Sequence, residues 1–189
     1  SAHWEEPAFT VQSAAQPDLL YDYSGFPAET YELQYPAAGA PALARRIVGL
    51  LQDARIDAGM DSTRGFDHGV FVPLTLMYPD AQIPCLQLSL RRDLDPAAHI
   101  ALGNALSALR EENVLILGSG SSFHNMHAFQ DGAMGPVACQ TFDDWLCRTC
   151  TCSDLTETAK ALVGWEQAPE ARYAHPREEH LLPLHVCFG

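Results

Sequence analysis

The chain has 189 residues, 47% of them hydrophobic, enough to bury one sizeable core and to favour a single domain. Its 11 Lys+Arg against 24 Asp+Glu give a formal charge of −13, which excludes nucleic acid as a partner, because that binding rests on cationic side chains neutralising phosphates. No apolar run approaches the roughly 18 residues of a membrane span, and no basic stretch followed by an apolar one opens the chain, so a soluble, cytoplasmic protein without membrane contact is expected.

Helical and strand periods alternate along the chain. "PALARRIVGLLQDA" puts Leu43, Ile47, Leu50 and Leu51 on one helical stripe, with Pro41 suited to a first turn. "IPCLQLSL", residues 83–90, reads as a strand. "DPAAHIALGNALSALREE" reads as a helix capped by Asp95, with Leu102, Leu106 and Leu109 at helical spacing, and "NVLILGSG", residues 113–120, as a buried strand. Strand, helix, strand implies a parallel pair. Gln130 to Cys139 holds Gly and Pro and is expected to be a loop, whereas "DDWLCRTC", "DLTETAKALVGW" and "HPREEHLLPLHV" are expected to be helical. The expected fold class is α/β, with a mixed, largely parallel central sheet and helices on both faces, an architecture that carries its chemistry beyond the carboxyl ends of the strands.

Six cysteines stand at 85, 139, 147, 150, 152 and 187. Cys147, Cys150 and Cys152 have the crowding of a metal site but lack an evident fourth ligand, so free thiols are expected. The eight histidines are more informative. His68 lies in "RGFDHGVFVPL", His124 in the Gly-Ser loop "LGSGSSFHN", His180 in "HPREEH" behind Pro176, Glu178 and Glu179, and His3 in "SAHW". Each has an ordinary reading as a buried hydrogen-bonding group. His99 and His127 keep that reading, His185 suits a helix surface and His175 a helix cap. The Gly-Ser run lacks the lysine of a P-loop and does not form G-x-S-x-G, and H-E-x-x-H is absent.

Taken together, "SAHW", "YDYSGFPAETYELQYPAAGAPALARRI", "RGFDHGVFVPLTLMYPDAQIPCLQLSL", "LILGSGSSFHN" and "HPREEHLLPL" resemble, in order and spacing, the class III extradiol ring-cleavage dioxygenases, in particular the 4,5-DOPA dioxygenase branch. The resemblance covers nearly the whole chain. It implies that His3 and His180 are metal ligands, that His124 lies beside the metal as acid/base or additional ligand, and that His68 contacts substrate or dioxygen. Glu178 or Glu179 stands as the alternative third ligand, because protocatechuate-type relatives use a glutamate there. Members of that family begin with a strand ending in His-Gly-[Ser/Ala]-Pro, whose histidine is another ligand. The chain has no counterpart, so the expectation is one catalytic domain over residues 1–189, truncated at both ends.

The implied reaction is extradiol cleavage of a catechol by O2 at a non-haem centre, giving a muconic-semialdehyde-type product. Fe(II) is the expected cofactor for activity, and Zn(II) competes for an imidazole-rich site. A small aromatic diol and O2 are the expected partners. Tyr21, Asp22 and Tyr23 either line the mouth of the site or pack a surface loop. Two other readings remain open: a zinc hydrolase with Glu179 as base, and a metal-binding remnant of the family without turnover.

Overall fold

Strand pairing in the protein is short and parallel. In the computed structural model, which describes residues 1–130 and 135–189, β1 (Glu5–Glu6) pairs with β6 (Leu90–Arg91). β2 (Phe9–Gln12) pairs with β4 (Ala58–Asp61), and β3 (Leu19–Leu20) with β5 (Phe66–Asp67). An antiparallel bridge joins Val11 to Leu88 and a parallel one joins Gly39 to Cys85. The class is α/β, as its alternating periods suggest, with the sheet divided into three two-stranded ladders.

Helix α1 (Pro41–Asp53) buries Ile47 and Leu51 of the stripe read from the sequence, together with Ala44, against Phe9 and Val11 of β2, while Leu43 and Leu50 are partly buried on the same core. Helix α3 (Pro96–Leu106) adds Leu102 and Leu106 to this core, and Leu109 follows from the 3-10 turn Ser107–Glu112. Asp95 caps α3, its carboxylate accepting from the Ala97 and Ala98 amides. Each fully buried aliphatic here contributes on the order of 1.5–3 kcal/mol. Helix α2 (His68–Met77) packs a separate core, in which Phe71 and Leu74 meet Phe66 of β5, Tyr35 and Ala37.

Several local expectations are corrected. Residues 83–90 form a ladder only at Leu90, the rest touching neighbours at isolated bridges, in keeping with Pro84 lacking an N–H to donate. Residues 113–120 form no strand: Leu115 is 66% and Leu117 42% exposed, while Val114 and Ile116 rest against the core. Asn113 takes a left-handed φ of 58°, and the Val114 amide bonds back to the Leu109 carbonyl, so the chain leaves the helical turn without joining a ladder. The strand–helix–strand unit is therefore not formed.

Helix α4 (Met126–Gln130) is short. Helix α5 (Pro136–Cys150) begins inside the segment expected to be a loop, because its proline needs no N–H partner in a first turn; residues 131–134 of that segment lie outside the described residues. Helix α6 (Leu155–Val163), capped by Asp154, and α7 (Ala171–Ala174) follow. Residues 175–181 are turns rather than helix, and α8 spans Leu182–Phe188 with Pro183 in its first turn. Phe142, Trp165, Ala171, Ala174 and Leu181 make a third core. Among the described residues no helix is long and apolar enough to cross a membrane.

Candidate metal centre

Four imidazoles from distant parts of the chain come together. The His3 ring centroid lies 3.9 Å from that of His68 and 4.9 Å from that of His180, and His180 stacks on His124 at 3.3 Å. Every histidine singled out as ligand or catalyst thus stands in one cluster.

Local structure explains the convergence. His3 precedes β1, and its amide donates to the Ser1 hydroxyl at 3.2 Å. That hydroxyl donates to the buried carboxylate of Asp67 at 2.9 Å, which also accepts from Arg64 at 3.1 Å and, in a short contact, from the Gln87 amide. Arg64 in turn reaches the His3 carbonyl at 3.4 Å and covers the Trp4 ring at 4.7 Å. The network ties His3 to the carboxyl end of β5, where His68 opens α2. A buried carboxylate is costly to leave without its cation, so Asp67 and the partly buried Arg64 act as one unit.

His124 and His180 are set by the Gly-Ser loop lying on the turn before α8. The Ser121 amide donates to the His180 carbonyl at 2.9 Å, and a Cβ on Gly120 would collide with that same oxygen, which is why glycine stands there. On its other side the loop is clamped by residues 173–175. The His124 amide donates to the Ala174 carbonyl at 2.9 Å, the Asn125 amide side chain to the Tyr173 carbonyl at 2.9 Å, and His175 Nε2 lies 3.0 Å from the Ser122 carbonyl.

Two carboxylates organise the rings. Asp22 Oδ1 meets both the backbone amide of His68 at 3.0 Å and its Nδ1 at 2.7 Å. Glu179 Oε1 lies 2.9 Å from Nδ1 of His180 and 3.2 Å from Nδ1 of His124. Both carboxylates take Nδ1 and leave Nε2 available, as the orienting partners of metal-bound histidines do. Glu178 differs: it pairs with Arg172 at 2.7 Å.

Electrostatics favours the neutral form of His3 and of His124 beside ionised carboxylates. Burial, followed by the nearby His68 and His180, pushes His3 down to about 4. Burial and His180 also lower His124, against the opposing pull of Glu179. Burial alone would raise Glu179, but hydrogen bonds from His180 and from its own backbone, with the charges of His180 and Arg177, hold it at about 2. Burial likewise opposes ionisation of Asp22, yet the amide and ring of His68 bring it below its usual range.

These groups suit a divalent metal. His124, Glu179 and His180 offer ligand atoms within 4.8 Å of one another, as do His3, Asp22 and His68. Glu179 Oε2 is buried without a hydrogen-bond partner, Arg177 standing at ion-pair range of 3.4 Å but out of alignment, and no hydrogen bond among the described residues reaches the His3 ring. Uncommitted imidazole nitrogens and a spare carboxylate oxygen match the preferences of Fe(II) and Zn(II).

Of the remaining histidines, His127 is not buried as expected but exposed on the short α4. His99 is a satisfied core residue between the Asp95 carbonyl at 2.7 Å and the Arg91 amide at 3.2 Å, and His175 caps α7. His185 is not on a helix surface; it is fully buried, with the Leu162 carbonyl 2.8 Å from Nε2, because α8 turns that face inward. Sequence reasoning missed Asp67, Arg64 and Gln87; the adjacent Asp67-His68 pair was the available signal, but burial of the carboxylate was not legible from it.

An α/β fold presenting clustered imidazoles and carboxylates defines a protein with a candidate metal centre. The family model described as the catalytic LigB subunit of aromatic ring-opening dioxygenase matches residues 1–189. The chain is 41% identical over 206 residues to the dioxygenase tasH of Hapsidospora irregularis, covering 100% of itself and 62% of that protein. It is 43% identical over 193 residues to a 4,5-DOPA dioxygenase extradiol of Beta vulgaris, covering 100% of itself and 70% of that protein. A crystal structure of an uncharacterized protein from Escherichia coli K12 superimposes with a TM-score of 0.78 at 32% identity, covering 99% of this chain and 71% of that one. The chain belongs to the LigB family of aromatic ring-opening dioxygenases, whose enzymes depend on a non-haem metal. It spans between 62% and 70% of the length of these two curated relatives.

Proposed function

We propose that the protein opens the ring of a catechol-type substrate by extradiol cleavage with O2, giving a muconic-semialdehyde-type product. The observation that carries this reading is the gathering of His3, His68, His124 and His180, with Asp22 and Glu179 behind them, in a chain matched to the family over its whole length. His3, His124 and His180 would hold the metal, and His68 would contact substrate or dioxygen. Fe(II) supplies, when bound, open positions for the diol and for O2.

The chain's own residues handle protons and orientation. Asp22 accepts from His68 Nδ1 and leaves Nε2 directed away from the carboxylate, where that nitrogen can accept a hydrogen bond. In the alternative role, with Nε2 off the metal, His124, its basicity lowered by burial, can take a proton from a catechol hydroxyl and return it as the ring opens. The two roles of His124, ligand and acid/base, are separated by whether its replacement lowers metal content.

The test is oxygen uptake by protein loaded anaerobically with Fe(II) and then exposed to air with a catechol. The expected result is one O2 consumed per ring opened, with a yellow product. Ester or phosphate cleavage without O2, every catechol being left intact, would replace this reading with the hydrolase; stoichiometric metal with no turnover of any kind would replace it with the binding remnant.

A further inference from the structure

The loop after β3 carries features that the proposed reaction does not yet use. Its rings form a continuous set: Tyr21 meets Tyr23 at 6.2 Å and Phe71 at 5.7 Å, and Tyr23 meets Tyr31 at 5.2 Å. The hydroxyls are tied inward, Tyr21 donating to the Leu33 carbonyl and Tyr23 to the Thr30 carbonyl, each at 2.5 Å. The loop is therefore self-packed and held before any ligand arrives. Two of its residues touch the histidine cluster: Asp22 through His68 Nδ1, and Tyr23, whose ring stands edge-on to the His68 ring at 5.5 Å.

Phe26 is the exception to this inward packing. Gly25 turns the chain at a φ of +80°, Pro27 follows, and the Phe26 ring is 60% exposed while lying edge-on to Tyr23 at 5.5 Å. Tyr31, packed on the same Tyr23 ring at 5.2 Å, is also exposed, so two exposed rings flank the ring that contacts His68. Isolated exposed apolar residues need no explanation, but exposed rings fixed on one that contacts a candidate centre have the character of a ligand-binding surface.

We propose that Phe26, supported by Tyr23, is a specificity-determining contact that packs the apolar substituent of a ring-substituted catechol while the diol end reaches the histidines. This rests on the catechol reading above and adds to it a preference for substituted over bare rings. An aromatic ring held beforehand loses little freedom on binding, so edge or offset stacking is retained in the affinity.

The experiment measures binding by anaerobic calorimetry to the Fe(II)-loaded protein, using catechol and 4-phenylcatechol, with metal content determined on each sample. Phe26→Ala is expected to keep its metal, to weaken 4-phenylcatechol about tenfold and to change catechol less than about twofold. Phe26→Tyr should restore 4-phenylcatechol binding, and Leu155→Ala, an exposed apolar residue on α6, should alter neither ligand. Equal effects of Phe26→Ala on the two ligands, or none on either, would overturn the subsite while leaving the catechol reading intact. Failure of the wild-type protein to bind either diol would overturn that reading, and the subsite with it.

Discussion

His175 links acid sensitivity to the loop that carries His124. The residue is fully buried, its Nε2 lies 3.0 Å from the Ser122 carbonyl, and its Nδ1 has no partner. Burial pushes it from 6.5 down to about 4, despite the opposing hydrogen bond to Ser122 and the charge of Glu179. The unfolded chain therefore binds a proton at this residue over a pH range in which the folded protein excludes it. Stability contributed by the neutral ring is complete above pH 6.5 and is lost as pH falls toward 4. For these two values the loss reaches about 2 kcal/mol at pH 5 and about 3 kcal/mol at its limit. Urea unfolding of metal-free protein at pH 7 and pH 5 measures it. His175→Gln keeps an N–H for Ser122 but cannot titrate, so its loss between the two pH values should be smaller than that of the wild type by about 2 kcal/mol. His3, lowered by burial in the same direction, contributes equally to both proteins. An unchanged pH dependence in the variant would refute the reasoning.

Three further outcomes are expected. His180→Ala should lose stoichiometric iron, whereas His68→Ala should keep its iron and lose mainly turnover; metal analysis beside rate measurement separates them, and retained iron in His180→Ala would move the ligand role to Glu179 or Glu178. Asp22→Asn should retain the fold and metal while lowering kcat by about 10–100-fold, because the ring of His68 loses its charged partner at 2.7 Å; steady-state kinetics with unchanged rates would exclude that orienting role. Asp95→Ala removes a cap that accepts from two amides of α3 and should cost about 1 kcal/mol in chemical denaturation without altering metal content.

The parts of the fold legible in the sequence are those whose signals are local. Pro41 with the stripe through Ile47 and Leu51, and Asp95 ahead of Leu102 and Leu106, specify α1 and α3 because a cap and a helical period operate within a few turns. Strands depend on partners far away. The apolar run through Leu115 and Leu117 reads as buried only if another strand or layer covers it, and in the protein both side chains are exposed. The start of α5 was obscured because Gly and Pro mark both loops and first turns. At the centre, the resemblance named the four histidines that cluster, but not what holds them. Asp22 is 46 residues from His68, and Ser1 is 66 residues from Asp67, separations at which sequence pattern carries no pairing information. The inward face of His185 likewise follows from how α8 packs rather than from its neighbours in sequence.

Isotopic labelling of the oxygen decides between dioxygenation and every other use of the centre. Fe(II)-loaded protein is mixed with a catechol under heavy-isotope dioxygen, and the ring-opened product is analysed by mass spectrometry before its aldehyde oxygen exchanges with water. Incorporation of both labelled atoms into one product molecule is the predicted result. A product carrying one labelled atom or none, or an intact ring with the label recovered only in water or peroxide, would contradict it.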